Sequence, residues 1–360
     1  MQQQQRILIA PLDWGLGHAT RCIPIIRFLL EKQQQVIVAA DGRPLALLRK
    51  EFPNIEYIQL RGYSINYARG SLMILKMLFS IPKILKGIYR EHQALNHIIK
   101  TRKIDVVISD NRFGLWNKNV KCIFITHQTM IKSPFGEKLL HFINLNFILK
   151  YYECWIPDEE GEINLSGDLS HKFPLPRNAF FVGLLSRFNS KQNLNNLKNH
   201  NSILIILSGP EPQRTIFENI LLKQVDESGL KTLIVRGLSD QIENTEINKN
   251  VTIVTHLCAE EMQKTIEKSE LIIARSGYST IMDMAILGKK VVFVPTPGQT
   301  EQEYLATLLE QKKIAYFQSQ SKFNLKEALI ESKKYSGFVE NMDNNKIEQR
   351  LEILLNKMKE

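Results

Sequence analysis

Cysteine is scarce: Cys22, Cys122, Cys154 and Cys258 are the four in 360 residues, far apart and with no Cys-x-x-Cys pair. That argues against a zinc knuckle or a disulfide-stapled scaffold and fits a reducing compartment. No stretch approaches roughly 18 uninterrupted apolar residues, so no spanning helix is expected. The apolar run after "MQQQQ" is too short for a secretory leader. No Asp-x-Asp pair occurs, so a carboxylate-held metal is not expected, and no Gly-Lys-Ser/Thr marks a Walker loop. Internal repeats are absent. Acidic residues are in deficit, 37 against 47 Lys and Arg, for a net charge of +10. Such a balance suits an anionic partner: nucleic acid, a phosphorylated substrate or the charged face of a bilayer. No nucleic-acid-binding motif is present, so nucleic acid is not an expected partner. The expected location is cytoplasmic, with peripheral contact on the inner face of the cytoplasmic membrane as an option.

Short apolar runs recur instead, separated by helical patterns: "RILIA", "QVIVAA", "IEYIQL", "DVVISD", "KCIFIT", "ECWIP" and "AFFVGL", then "ILIILSG", "KTLIVRG", "VTIVTH", "LIIARSG", "KVVFVP" and "IAYFQ". Runs apolar at consecutive positions are strands buried on both faces, as in a parallel sheet covered by helices. Their alternation with helices predicts an α/β chain of two doubly wound domains. The asparagine-rich segment 186–201 reads as the linker, giving an N-terminal domain over 1–190 and a C-terminal domain over 200–338. At the end, Ile347, Leu351, Leu354, Leu355 and Met358 have helical spacing. That amphipathic helix, 340–360, is expected to pack back on the first domain.

In doubly wound sheets ligands collect at the carboxyl ends of strands. In "DWGLGH", Gly15 and Gly17 are expected to permit a tight turn, and His18 stands at a helix start, where the dipole disfavours its protonation. A neutral imidazole there can accept a proton; a hydrogen-bonded turn histidine is the plain alternative. Asp110 ends "VVISD", where it could orient His18 or bind a substrate hydroxyl, and Asn111 and Arg112 could form a structural turn. His127 and Gln128 follow the next strand as ligand contacts or loop anchors. In the second half, Ser208 and Gly209 close a strand ahead of a helix. Backbone amides there can hold phosphate oxygens. Pro210 and Pro212 remove donors, for which Arg214 could compensate. Arg275, Ser276 and Gly277 lead into a helix that starts near Ser279 and Thr280, which makes a diphosphate-sized anion site. Asp283, a turn further on, can accept from two ribose hydroxyls. Gln299, Thr300, Glu301, Gln302 and Glu303 can read sugar hydroxyls.

The stretch 271–306 resembles the donor-site signature of the GT-B glycosyltransferases, most of all family 28, whose best-known member adds N-acetylglucosamine to a lipid-linked peptidoglycan precursor. The resemblance implies two Rossmann-like domains facing a cleft and a nucleotide-sugar donor, UDP-linked. It implies ribose binding by Asp283, which is one carbon shorter than the family's glutamate. Gln302 with Glu303 would hold the donor sugar, Leu257, Cys258 and Ala259 the uracil, and His18 would be the base of an inverting transfer to a hydroxyl. No cofactor is implied. Asp13 and Trp14, and the prolines after Gly209, depart from the family pattern, so the peptidoglycan acceptor is not carried over. "GHATRC" also resembles the start of the UDP-sugar hydrolase of pseudaminic acid synthesis, in which water replaces the acceptor. A non-hydrolysing UDP-sugar 2-epimerase and a basic, non-enzymatic membrane- or nucleic-acid-binding protein are further rivals.

One segment bears on the acceptor. Residues 69–90 place Arg69, Lys76, Lys83 and Arg90 every seven residues on an apolar background without an acid. That pattern suits an anionic membrane surface and with it a lipid-linked acceptor; an ordinary helix pair on the sheet is the alternative. Pro82 is expected to kink it or start a second helix. The apolar segment 138–155 is expected to be core.

Overall fold

The computed structural model describes residues 4–62, 73–132, 136–188, 200–238, 244–338 and 345–358, with side chains of 73–81 and a few strand-end residues left out. It divides into two compact units, residues 1–183 with 345–360, and residues 184–344.

In the first unit the described strands are β1 (Arg6–Pro11), β2 (Gln35–Ala40), β3 (Glu56–Gln59), β4 (Val106–Asp110), β5 (Lys121–Ile125), β6 (Glu153–Ile156) and β7 (Ala179–Phe181). All pair in parallel in the order β3-β2-β1-β4-β5-β6-β7. The helices are α1 (Leu16–Glu31), α2 (Gly42–Glu51), α3 (Met73–Arg102), α4 (Glu137–Ile148), the short α5 (Asp168–His171) and the last helix of the chain. Ile7, Leu8, Ile9 and Val106, Val107, Ile108 are fully buried, as expected of strands covered on both faces. Leu95 and Ile98 of α3 share one apolar cluster with Ile148 of α4 and with Phe124, so both helices cover the same sheet face.

The second unit repeats the plan. Its described strands are β8 (His200–Ile206), β9 (Lys231–Val235), β10 (Asn244–Glu246), β11 (Val251–Val254), β12 (Ser269–Ala274), β13 (Val291–Phe293) and β14 (Tyr316–Phe317), in the order β10-β11-β9-β8-β12-β13-β14. Only β10, polar and antiparallel, has no counterpart among the apolar runs of the sequence. The helices are α6 (Gln213–Ser228), α7 (Ala259–Lys268), α8 (Tyr278–Ile286), α9 (Thr300–Gln311) and α10 (Leu325–Glu331). Gly288, at φ +59, closes α8 in the left-handed conformation open to glycine. The final helix, α11 (Asn345–Asn356), buries Ile347, Leu351, Leu354 and Leu355. Its Arg350 pairs with Glu153 at 2.6 Å and lies over the Phe180 ring.

Several expectations are corrected. The division falls at Gly183/Leu184, earlier than the polar composition suggests. Leu184, Leu185, Ser186 and Phe188 are buried in the second unit, while residues 189–199 of the expected linker lie outside the described residues. Pro82 does not start a second helix: a single helix, α3, runs through it. The segment 138–155 is not all core. Its strand, β6, is buried, but on α4 Leu139 and Phe142 are each 64% exposed and Ile143 44%. The helix meets the sheet through Asn144 and Ile148 instead.

Candidate functional site

Both sheets reverse their winding at one point, between β1 and β4 in the first unit and between β8 and β12 in the second. Loops on either side of such a point diverge and leave a crevice at the carboxyl edge. The register sets Pro11 beside Asp110, and the Leu12 amide donates to the Asp110 carbonyl at 3.0 Å. The chain then turns straight into α1, whose third residue is His18. His18 Nδ1 thus lies 3.1 Å from Asp110 Oδ1, and the two expected residues meet.

The structure adds Arg21 to them and brings in His127, expected from sequence as a ligand contact or loop anchor. Arg21, one turn along α1, donates from Nε to Asp110 Oδ2 at 2.5 Å and from Nη2 to Asp110 Oδ1. Its Nη2 is also 2.9 Å from His18 Nδ1, and its Nη1 is 3.1 Å from Nδ1 of His127. The i, i+3 spacing of His18 and Arg21 was the available signal for this, since it puts both on one helix face. Burial pushes the Asp110 carboxyl up, but the guanidinium and His18 outweigh it and hold the group at about 2. His18 goes below the ordinary 6.5, first because its charged form is desolvated and second because Arg21 repels it; Asp110 opposes both. With Nδ1 facing inward, Nε2 has no hydrogen-bond partner among the described residues. Burial and the nearby Asp110 charge push the thiol of Cys22 well up, so it stays protonated beside the carboxylate.

The glycines act differently from expectation. Gly15 is the N-cap of α1 in extended backbone and Gly17 lies inside the helix; neither is left-handed. A Cβ at Gly15 would meet open space, as would one at Gly277, the N-cap of α8. Glycine at these caps keeps the approach to each helix end clear. Gly209 is the position that backbone demands, at φ +102 with Thr296 Oγ1 3.3 Å from where a Cβ would stand.

In the second unit the predicted residues gather at the carboxyl edge, many of them holding one another. Ser276 donates to the Gln302 carbonyl at 2.8 Å. Gln302 accepts from the Thr296 amide and donates to Gln299, and Glu303 accepts from the Gly298 amide. These bonds shape the turn between β13 and α9. Ser279 and Thr280 lie in the first turn of α8. Cys258 caps α7 in a box with Glu261, between Leu257 and Ala259. Two arginines depart from expectation. Arg214 is neutralised by Glu211 and Glu218 and supplies no spare charge near Ser208. Arg275 is buried and donates to the Val294, Pro295 and Gln213 carbonyls and to Gln320; burial lowers it to about 10. Asp283 accepts from Ser186 Oγ at 2.6 Å and pairs with Arg187 at 3.5 Å. Burial raises its carboxyl, against the pull of Arg187 and Ser186.

Among the described residues no group of three or more His, Cys, Asp or Glu could hold a metal ion, and no helix is long and apolar enough to cross a membrane.

Residues 203–354 match the family model of the glycosyltransferase family 28 C-terminal domain, and residues 5–127 that of glycosyl transferase family 1. An uncharacterized glycosyltransferase of Methanosarcina mazei is 24% identical over 338 residues, 85% of this chain and 84% of its own. The UDP-N-acetylglucosamine–N-acetylmuramyl-(pentapeptide) pyrophosphoryl-undecaprenol N-acetylglucosamine transferase of Rickettsia akari is 27% identical over 136 residues, 34% of this chain and 35% of its own. Arabidopsis thaliana UGT89C1, solved with quercetin, superposes with a TM-score of 0.61 at 12% identity, over 99% of this chain and 100% of that one. The fold is GT-B.

Proposed function

We propose that this chain, a glycosyltransferase of the GT-B fold, moves a hexosyl group from a UDP-sugar to a hydroxyl acceptor, with inversion at the anomeric carbon and His18 as general base. The observation that carries the reading is the His18–Asp110 contact at 3.1 Å, made through Nδ1 and not Nε2. Nδ1–H donated to the ionised Asp110 leaves the Nε2 lone pair to take the acceptor proton as the oxygen attacks. The second unit holds the donor. Amides at the open, glycine-capped start of α8 and the turn at Ser208–Gly209 receive the diphosphate, and the helix dipole there stabilises departing UDP without a bound metal. The residues around Leu257, Cys258 and Ala259 take the uracil. Asp283 takes the ribose by exchanging Ser186 for ribose hydroxyls. The glutamine-bearing turn, with Gln299, Gln302 and Glu303, takes the sugar. The Rickettsia relative, named for a UDP-sugar donor and an undecaprenol-linked acceptor, supports a UDP donor and a lipid-linked acceptor.

Exposed apolar side chains on one layer of the first unit support a membrane-side acceptor. Leu85 and Tyr89 of α3 are exposed beside Lys83, Lys86 and Arg90, and Leu139, Phe142, Ile143 and Leu149 of α4 and its C-cap are exposed near Lys138 and Lys150. This basic, apolar layer would rest on the anionic inner face of the cytoplasmic membrane. Arg69 and the rest of 69–72 lie outside the described residues.

The test is UDP release from a panel of UDP-sugars, with and without a lipid extract of the host. Release that needs the extract supports a transferase with a lipid acceptor. Equal, substantial release without it overturns that reading in favour of the hydrolase.

A further inference from the structure

The turn at Ser208–Gly209 is short of donors for the diphosphate it is proposed to receive. Pro210 and Pro212 carry no amide hydrogen. Arg214 is neutralised by Glu211 and Glu218, and Arg275 is occupied by backbone carbonyls and Gln320. Thr296, on the turn after β13, stands against this loop. Its Oγ1 lies 3.3 Å from the point where a Cβ of Gly209 would be. The residue is 1% exposed, yet Oγ1 has no hydrogen-bond partner. The amides of Ser208 and Gly209 have none either among the described residues.

The rest of Thr296 is fixed in place. Its amide donates to Gln302 Oε1 at 2.8 Å, and its carbonyl accepts from the Gln299 amide at 3.0 Å. Pro297 follows it, which restricts its backbone to extended conformations. Folding does not account for the hydroxyl. Valine has nearly the same shape and would leave no buried donor unpaired, a condition that costs stability. A buried group without a partner in a rigid setting points to a bond that something else completes.

We propose that Thr296 is a binding residue of the donor-phosphate site: its Oγ–H donates to a phosphate oxygen seated on the Ser208–Gly209 turn, where Pro210 and Pro212 supply no amide. This rests on the nucleotide-sugar reading above and adds a residue to it. A hydroxyl suits the task, because its proton rotates about the C–O bond to meet the incoming oxygen. Oγ1 is out of contact with solvent, so phosphate entry shifts the turn. Gly209, at φ +102 and without a Cβ, is where the turn gives way. Thr296 also joins two parts of the donor site, since Gln299 and Gln302, which hold its backbone, belong to the turn proposed to take the sugar.

The test is calorimetric binding of UDP, and of uridine, which lacks the phosphates, to the full chain as wild type, Thr296→Val and Thr296→Ser, with thermal unfolding of each. Thr296→Val should weaken UDP by about tenfold or more, leave uridine within about twofold, and melt no lower than the wild type. Thr296→Ser keeps the hydroxyl and should retain most of the UDP affinity. Unchanged UDP binding in Thr296→Val, with the wild type still preferring UDP to uridine, overturns the proposal and leaves the nucleotide reading standing. Equal weakening of both ligands, or a Thr296→Val chain that loses its fold, would show that the hydroxyl braces the structure and overturns it as well. A wild type that binds UDP no more tightly than uridine removes the phosphate site itself, and the proposal falls together with the nucleotide reading.

Discussion

At the residue scale, His18 draws its chemistry from neighbours the chain brings from positions 21, 110 and 127. Its pKa is displaced below 6.5, so the neutral, proton-accepting form persists at pH values where an ordinary histidine is half charged. The acid limb of the kcat/KM profile for UDP release should accordingly be centred below pH 6.5. An acid limb centred at or above 6.5 would show that a different group is the base. Asp110→Ala leaves a buried guanidinium without its partner, which costs about 3–5 kcal/mol, readable as a loss of stability in urea unfolding. Asp110 and His18 were legible in the sequence because each ends a strand run or opens a helix, which is where doubly wound sheets place ligands. Their contact was not, since it depends on the β1–β4 pairing, and strand order leaves no mark on either strand's own residues. Asp283 was legible by its place one turn into α8, whereas its partner Ser186 sits 97 residues upstream in a segment whose asparagines read as linker.

At the element scale, α3 and α4 show how the first unit spends its apolar residues. Gly114 lies so close to α3 that a Cβ would stand 2.4 Å from the Ile88 carbonyl oxygen and 2.6 Å from Glu91 Cβ. Gly114→Ala must shift the helix and should cost about 1–3 kcal/mol, measured by thermal or urea unfolding. A neutral result would mean the helix is free to slide. On α4 the exposed positions 139, 142, 143 and 149 follow one helical stripe, while the buried Asn144 donates to the Gln128 and Thr129 carbonyls. A Leu139→Ser, Phe142→Ser, Ile143→Ser variant should keep its stability within roughly 0.5 kcal/mol per site and lose most of its sedimentation with anionic phospholipid vesicles. Undiminished vesicle binding would take the stripe out of the account. The exposure was misread from sequence because apolar content announces burial without naming what buries it. An α4 anchored by an asparagine gives no signal of a solvent-facing apolar side.

At the scale of the whole molecule, two sheets of the same winding make up the two units, residues 1–183 with 345–360 and residues 184–344, and the proposed reaction assigns the base to the first and the donor loops to the second. The double winding was legible from runs apolar at consecutive positions, because strands covered by helices on both faces have no polar side to show. The polar edge strand β10 was not, for the opposite reason. If the second unit alone holds the nucleotide, UDP at a hundredfold its Kd should stabilise the folded chain by about 2.7 kcal/mol, and to the same degree in a His18→Ala variant. The division of labour is tested most directly by measuring UDP-sugar turnover and calorimetric UDP affinity side by side for the wild type and His18→Ala. The account predicts a loss of about 10²–10⁴-fold in turnover with UDP affinity unchanged. Turnover within a few fold of wild type, or a matching loss of UDP affinity, would contradict it.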